Sequence, residues 1–426
     1  MVKISIVGLG YVGLVHAVGF ALLGHEVIGY DVDEQKLKRL SEGTPTIYEE
    51  GLEEGLRRAL SHGSLRFTRD IGEAVRGSDV SFISVGTPSN PDGSQDLSQI
   101  IAASRSLGRA LRGKGSWHLI AVKSTVLPGT TLGVVRRALE EESGLKAFED
   151  FGLASNPEFL REGSAMRDFF KPDRIVIGVG EAKSKELLLD VYAPIEAPKV
   201  VTEITTAEMV KYAANAFLAL RISFANEMGS LCKELGIDCY EVLKIVGMDH
   251  RIGPHFFRAG LGFGGSCFPK DLRALAAFAE SRGLRARIVR ATLEVNEEQI
   301  HRALALLEKH LIDLRGKKVG VLGLAFKPGT DDVRESRGIA VAKELLRRGA
   351  LVGVHDPKAM ENARRELGEA VTYYGDPQSL VRDSEAVVIA TEWREYELLD
   401  YRGKVVVDGR RVEKAREARV YEGMAW

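Results

Sequence analysis

The chain has 426 residues, too many for one hydrophobic core of ordinary size, so two or three domains are expected. Hydrophobic residues make up 45% and charged residues 28%, and 59 basic against 60 acidic side chains leave a formal net charge of -1, which gives no support for a nucleic-acid or membrane-surface partner. No apolar run is long enough to span a bilayer; Cys232, Cys239 and Cys267 are an odd number without metal-site spacing, so a reduced, cytoplasmic setting and no metal are expected.

The opening MVKISIVGLG runs straight into a β-branched strand, so no signal peptide is expected. Residues 11 to 23 read as a buried helix, and EVIGYD, VSFISVG and HLIAVKS as further strands with helical patterns between them. Strands alternating with helices predict a parallel sheet covered on both faces. From Thr205 to about Leu235 the text is helical and free of proline, with Thr205 and Glu208 as a capping box at its start and Gly236 as its stop. A helix of roughly thirty residues links domains or lines a subunit contact.

From residue 317 the opening pattern returns: KKVGVLGLAF matches VKISIVGLGY, GALVGVHDP matches GHEVIGYDV, and DSEAVVIATE echoes GSDVSFISVG. The expected fold class is therefore α/β, with two Rossmann-like parallel-sheet domains joined by a long central helix and a helical middle domain. The boundaries are set at 1–200, 201–305 and 306–426.

Between the first strand and the first helix stands GLGYVG, residues Gly8, Gly10, Tyr11, Val12 and Gly13, with Asp31 at the end of the second strand. Such glycines let backbone amides approach a pyrophosphate at the positive end of the helix, although glycines also serve ordinary turns. Asp31 would accept from a ribose 2'-hydroxyl and repel a 2'-phosphate, so NAD is expected over NADP. The later version, Gly323 to Phe326, has lost the later glycines, so this domain is expected to bind a ligand other than a second dinucleotide.

In GFGGSCFPKD, Pro269 suits the first turn of a helix, which would place Cys267 just before a helix N-terminus, a position that favours the thiolate. A buried, inert thiol is the commoner fate of an isolated cysteine and is the reading preferred for Cys232 and Cys239. Lys211 and Asn215 share one helical face and could stabilise an oxyanion, or be a solvated lysine above a core asparagine. NPEFLREG offers Glu158 and Glu162 as base and positioning group, or a salt-bridged surface turn. In KSTVLPGT, Thr125 ends a strand, on the edge of a parallel sheet that faces ligands.

Taken in order, GLGYVG, STVLPGT, NPEFLREG, KYAANAF, GFGGSCFPKD and AFKPGTDDVRES resemble the UDP-glucose/GDP-mannose dehydrogenase family over nearly the whole chain. The stretch HRIGPHFFRAGLGFGGSCFPKD is most similar to the members that act on UDP-glucose. The resemblance implies a four-electron oxidation of a sugar-nucleotide primary alcohol to a carboxylate with two NAD+ and one water, here giving UDP-glucuronate. Cys267 matches the nucleophile that holds the half-oxidised sugar as a thiohemiacetal and then a thioester. Lys211 and Asn215 resemble the oxyanion pair, and Thr125, Glu158 and Asp271 the groups that order water and move protons.

For the cofactor the resemblance adds Lys36, Thr87, Thr125, Glu162, Lys270 and Arg334. For the sugar nucleotide it implies Glu158, Phe159, Leu160, Arg161, Lys211, Asn215, Arg251, Phe256, Gly264, Phe326, Lys327 and Arg410. It also implies a homodimer through the long helix, with Arg251 reaching the neighbouring subunit's substrate. The alternatives are the same reaction on GDP-mannose or another UDP-hexose, a single-step β-hydroxyacid-type dehydrogenase, and a non-catalytic sugar-nucleotide sensor.

Overall fold

The computed structural model describes residues 1–426 and divides the chain into two compact units, Met1–Ala214 and Asn215–Trp426. The first unit carries an eight-stranded sheet: β1 Lys3–Val7, β2 Glu26–Tyr30, β3 Leu65–Thr68, β4 Val80–Ile83, β5 Leu119–Val122, β6 Gly152–Ser155, β7 Ile175–Val179 and β8 Lys199–Thr202. Their order is β3-β2-β1-β4-β5-β6-β7-β8, and β1 pairs in parallel with β2 (Lys3 opposite Glu26) and with β4 (Ile4 opposite Val80).

The strand order reverses at β1, which opens a crevice beyond the carboxyl ends of β1 and β4, where a doubly wound sheet takes its ligand. Period-two alternation covers both faces: Leu119 and Ala121 of β5 enter one core, Ile120 and Val122 the other. The expected parallel arrangement holds for the first six strands. β7 runs antiparallel to β6, because the link 156–174 holds only the short helix Ala165–Phe170 and does not carry the chain back to the other end of the sheet.

The long helix spans Ile204–Glu234, and Gly236 beyond it takes φ +67°, the left-handed conformation of a helix stop. Its start differs from the expected capping box. The helix begins one residue before Thr205, and the buried Glu208 carboxylate accepts from Gly129 N (2.6 Å) and Thr131 N (2.8 Å), amides that a nearby turn leaves without partners.

The second unit holds helices Cys239–Val246, Phe268–Ser281 and Arg287–Leu311 and a six-stranded sheet. Its strands are β9 Lys318–Leu322, β10 Leu351–His355, β11 Thr372–Tyr373, β12 Ala386–Ile389, β13 Val405–Asp408 and β14 Val420–Gly423. All run parallel in the order β11-β10-β9-β12-β13-β14, the order of the first six strands of the other unit.

The repeat extends to the glycines. A Cβ on Gly13 would stand 1.9 Å from the Gly8 carbonyl oxygen, and one on Gly338 would stand 2.0 Å from that of Gly323; Gly8 and Gly323 take φ of +95° and +98°. The glycine that seats the helix on the strand turn is thus present in the second unit. It lies fifteen positions after Gly323 where Gly13 lies five after Gly8. This corrects the expectation that the later glycines were lost: a loop inserted before helix Arg337–Arg347 carries Phe326, Lys327 and Arg334 and hides the correspondence.

Candidate active site

In the first unit the glycine loop lies between β1 and helix Tyr11–Leu22. Gly8 and Gly13 are required by packing, whereas nothing stands within 4 Å of a Cβ position on the exposed Gly10. That open place, beside the free amides of the helix N-terminus, is where a pyrophosphate fits. Asp31 follows β2 and accepts from Leu9 N (2.8 Å), Asp33 N (3.1 Å) and Lys36 Nζ (2.9 Å). Burial alone would push its carboxyl up, but the Lys36 ammonium and the two amides outweigh burial and hold it below the usual range. An anionic acceptor at the end of β2 suits a diol, and the residues present therefore fit a dinucleotide. Lys36 meets Asp31 directly.

At the ends of β4 and β5, Thr87 Oγ1 donates to the Thr125 carbonyl (3.0 Å), and the buried Gln95 Nε2 donates to the same oxygen (2.8 Å). The Glu158 carboxylate is buried. It accepts from Lys211 Nζ at 3.0 Å on one oxygen and from Leu160 N at 2.6 Å on the other. Lys211 is therefore not a solvated lysine but one member of a buried ion pair. The Phe159 ring lies under the Arg174 guanidinium (3.7 Å) and 5.4 Å from Lys211 Nζ. Arg161 forms a two-pronged pair with Asp168 (2.9 and 2.6 Å). Glu162 is half-buried on the same loop, whose backbone is tied at Gly163 N (2.7 Å) and Ala165 N (2.8 Å) to the buried Glu49, itself bonded to Tyr11. Val12 is half-buried in the first turn of its helix.

In the second unit, Cys267 is exposed and occupies the N-cap position of helix Phe268–Ser281, with Pro269 in the first turn. Its carbonyl accepts from Asp271 N (2.9 Å). Asp271 is buried and receives Asn215 Nδ2 at 2.7 Å and Lys270 Nζ at 2.5 Å. The cysteine thus stands at the positive end of a helix whose first turn carries a carboxylate held by an amide and an ammonium. Cys239 is fully buried, as expected for an inert thiol, and burial pushes its pKa up to about 12.

The glycines before Cys267 are shaped by packing. A Cβ on Gly264 would stand 2.2 Å from the Glu335 carbonyl oxygen, and one on Gly265 would stand 2.8 Å from the Phe326 ring; Gly265 N donates to the Arg334 carbonyl (3.0 Å). The Cys267 loop is therefore laid directly on the inserted loop of Phe326, Lys327 and Arg334, and Lys327 Nζ lies 5.5 Å from the Phe326 ring. Asn296 clamps it further, accepting from Phe263 N (2.7 Å) and donating to Phe263 O (3.0 Å).

Arg334 pairs with Asp332 (2.9 Å), and Arg410 Nε donates to Ala390 O (2.7 Å). Phe256 lies 6.3 Å from the Phe268 ring. Arg251 is exposed and folded on Asp249 (2.6 Å), early in the link that ends at Cys267.

Sequence reasoning missed Gln95, Lys123, Asn156 and Asn296, and read Glu208 only as part of a helix cap. Lys123 and Asn156 sat inside quoted motifs; a lysine ending an otherwise apolar strand was the available signal.

The description UDP-glucose/GDP-mannose dehydrogenase family fits the chain in three parts: NAD binding domain over residues 2–196, central domain over 205–298 and UDP binding domain over 320–415. A UDP-glucose 6-dehydrogenase of Haloferax volcanii is 44% identical over 99% of this chain and 100% of its own length. The structure of a UDP-glucose dehydrogenase from the hyperthermophilic archaeon Pyrobaculum islandicum is similar with a TM-score of 0.98 and 62% identity, covering 100% of this chain and 98% of that one. A UDP-D-ManNAc dehydrogenase from Pyrococcus horikoshii, 29% identical with 99% of both chains covered, has a TM-score of 0.88. The chain belongs to the UDP-glucose/GDP-mannose dehydrogenase family.

Proposed function

We propose that this protein is an NAD-dependent UDP-glucose 6-dehydrogenase, converting the C6 alcohol of UDP-glucose to the carboxylate of UDP-glucuronate. The observation that carries the reading is the exposed Cys267 at the N-terminus of a helix whose first turn holds Lys270 and Asp271, the latter bonded to Asn215. The full-length relatives that bear this activity in their names support the choice of substrate.

Bound NAD+ supplies the hydride acceptor for each of the two oxidations. Gly8, Gly10, Gly13 and Asp31 would hold it, with Lys36, Thr87, Thr125, Glu162, Lys270 and Arg334 assigned to its surroundings. The C6 hydroxyl gives its proton to a base as C6 loses its first hydride, and the Cys267 thiolate adds to the resulting aldehyde carbon before it can escape. Lys211 and Asn215, one helical turn apart, carry the negative charge on that oxygen. Loss of a second hydride from the thiohemiacetal gives a thioester. Water attacks it, breaking the C–S bond and returning the thiol, while Glu158, Thr125 and Asp271 order the water and move the protons.

Phe159, Leu160, Arg161, Phe256, Gly264, Phe326, Lys327 and Arg410 are assigned to the sugar nucleotide. The three-part division at 1–200, 201–305 and 306–426 belongs to the same reading. So does a homodimer. Phe217, Phe224 and Leu231, seven apart on the long helix, leave an exposed apolar stripe that a second copy would cover, and Arg251 would serve the partner's substrate. The same reading assigns the enzyme to the cytoplasm, a reducing setting that would keep the exposed Cys267 thiol free.

The test is to count NADH formed per UDP-glucose consumed. Two is expected. One would leave a single-step dehydrogenase, and faster turnover of GDP-mannose would overturn the assignment of the sugar.

A further inference from the structure

Lys123 stands just beyond β5 and is only 2% exposed. Its Nζ lies 3.0 Å from the Asn156 carbonyl oxygen, 2.9 Å from Asn156 Oδ1 and 3.1 Å from the Tyr192 hydroxyl. Tyr192 spends its own proton on Asn156 Oδ1 (2.5 Å), so toward Lys123 it is an acceptor. Three acceptors thus face one nitrogen, and only the ammonium has three protons to give. Burying that charge is costly unless every proton is used, as here.

Asn156 follows β6 and also donates Nδ2 to Val176 O (2.7 Å), so it is fixed from both sides. Two residues later comes Glu158, bonded to Lys211. His16, Lys123, Asn156, Glu158, Phe159 and Tyr192 line one cavity of this unit, so the clamp and the ion pair are neighbours.

We propose that Lys123 is a positioning residue: its buried ammonium, acting through Asn156, sets the placement of the Glu158 carboxylate against Lys211. The inference rests on the reading of Glu158 and Lys211 given above. The groups facing Lys123 are His16 from helix Tyr11–Leu22, Tyr192 after helix Ala182–Val191, Glu158 and Lys211. Burial holds His16 well below its usual range and pushes Tyr192 above its own, so neither titrates near neutrality. Burial, opposed by Glu158 and reinforced by Lys211, brings Lys123 down to about 7. Above that pH the amine has two protons for three acceptors, and the hold on Asn156 loosens.

The experiment compares wild type with Lys123→Met and Lys123→Gln across pH 5.5 to 9. Lys123→Met is expected to lower kcat by about 10- to 100-fold and to remove an inflection near pH 7 from the profile, with KM for UDP-glucose and Kd for NAD+ within about threefold of wild type. In a Glu158→Gln background the same substitution should cost less than about threefold, because its effect runs through Glu158. Lys123→Gln keeps donors without the charge and serves if the methionine variant does not fold; it too should lack the inflection.

An inflection that survives in either variant, or losses that multiply in the double variant, overturn the proposal. Should wild type fail to oxidise UDP-glucose, the functional reading falls separately. The positioning role is then read from the crystal structure of the Lys123 variant: an opened Glu158–Lys211 pair supports it, and an unmoved 156–158 backbone with the pair intact sinks it.

Discussion

The three glycines of the first loop do different jobs, and alanine substitutions separate them. A Cβ on Gly13 would stand 1.9 Å from the Gly8 carbonyl oxygen, so the helix must move by more than an ångström to accept it. Overpacking of this kind costs about 1–3 kcal/mol, and Gly13→Ala should lower the melting temperature. Gly10 has φ -72°, open to any residue, and no atom within 4 Å of a Cβ position. Gly10→Ala should therefore leave folding intact or stabilise it by up to about 1 kcal/mol, through the unfolded chain. Its methyl would occupy the place given to the pyrophosphate, and an uncompensated clash of about 1–3 kcal/mol weakens NAD+ binding about 5- to 150-fold. Thermal unfolding and a fluorescence titration with NAD+ read the two effects apart. Gly338→Ala supplies the control, since it repeats the steric fault in the second unit and should lower stability with the NAD+ Kd unchanged. A Gly10→Ala variant that binds NAD+ like wild type would refute the placement of the pyrophosphate.

Cys267→Ser should lower NADH formation by about a thousandfold or more and leave NAD+ binding unchanged, measured by steady-state assay and titration; normal net oxidation would remove the sulfur from the mechanism. Asp31→Ala removes the charged acceptor at the end of β2 and should weaken NAD+ by about 10- to 100-fold without altering the Kd for UDP-glucose, both read by calorimetry. Glu422 is buried, which alone would raise its pKa, but hydrogen bonds from Lys233, His310 and Lys309 hold it down to about 2. A depressed folded pKa stabilises the fold above the unfolded value and loses that contribution as pH falls through the folded one. Wild type should thus exceed Glu422→Gln in stability fully above about pH 5, and the gap in urea midpoint should close as pH drops toward about 2. A gap that is constant with pH would mean that the charge of Glu422 plays no part.

β-branched runs made β1, β2, β4 and β5 legible, and the returning pattern did the same for β9, β10 and β12; the other strands went unread. GLGYVG followed by an aspartate after the second strand pointed to the crevice where the strand order reverses. What stayed hidden depended on distant partners. Glu208 sits at the position of a capping-box glutamate, but a turn at Gly129 and Thr131 offered it better-placed amides. Lys123 resembles a solvated strand end until Asn156 and Tyr192 are placed around it. Asn296 is one polar residue in a long helix, and only the fold shows both of its amide atoms on Phe263. The reversal of β7 depends on the path of an irregular link, which carries no periodic signal.

The two sheets pose one steric problem and solve it alike, with a carbonyl under a glycine of the following helix. Their chemistry parts at the acid after the second strand. Asp31 accepts from two amides and a lysine at the rim of an open loop. Asp356, at the equivalent place, accepts from Leu324 N, Ala325 N, Lys358 N, Ala359 N and Trp393 Nε1, and is only 2% exposed. Five donors exhaust a carboxylate with about four lone-pair sites, so Asp356 has no acceptor left for a ribose. The inserted loop meanwhile occupies the stretch that in the first unit leaves Gly10 open. A site that still carries the Rossmann strand order has thus been closed to a dinucleotide by saturating one carboxylate and lengthening one turn. The same longer turn supplies the Phe326 ring and the backbone carbonyls of Arg334 and Glu335 against which the glycines before Cys267 are packed.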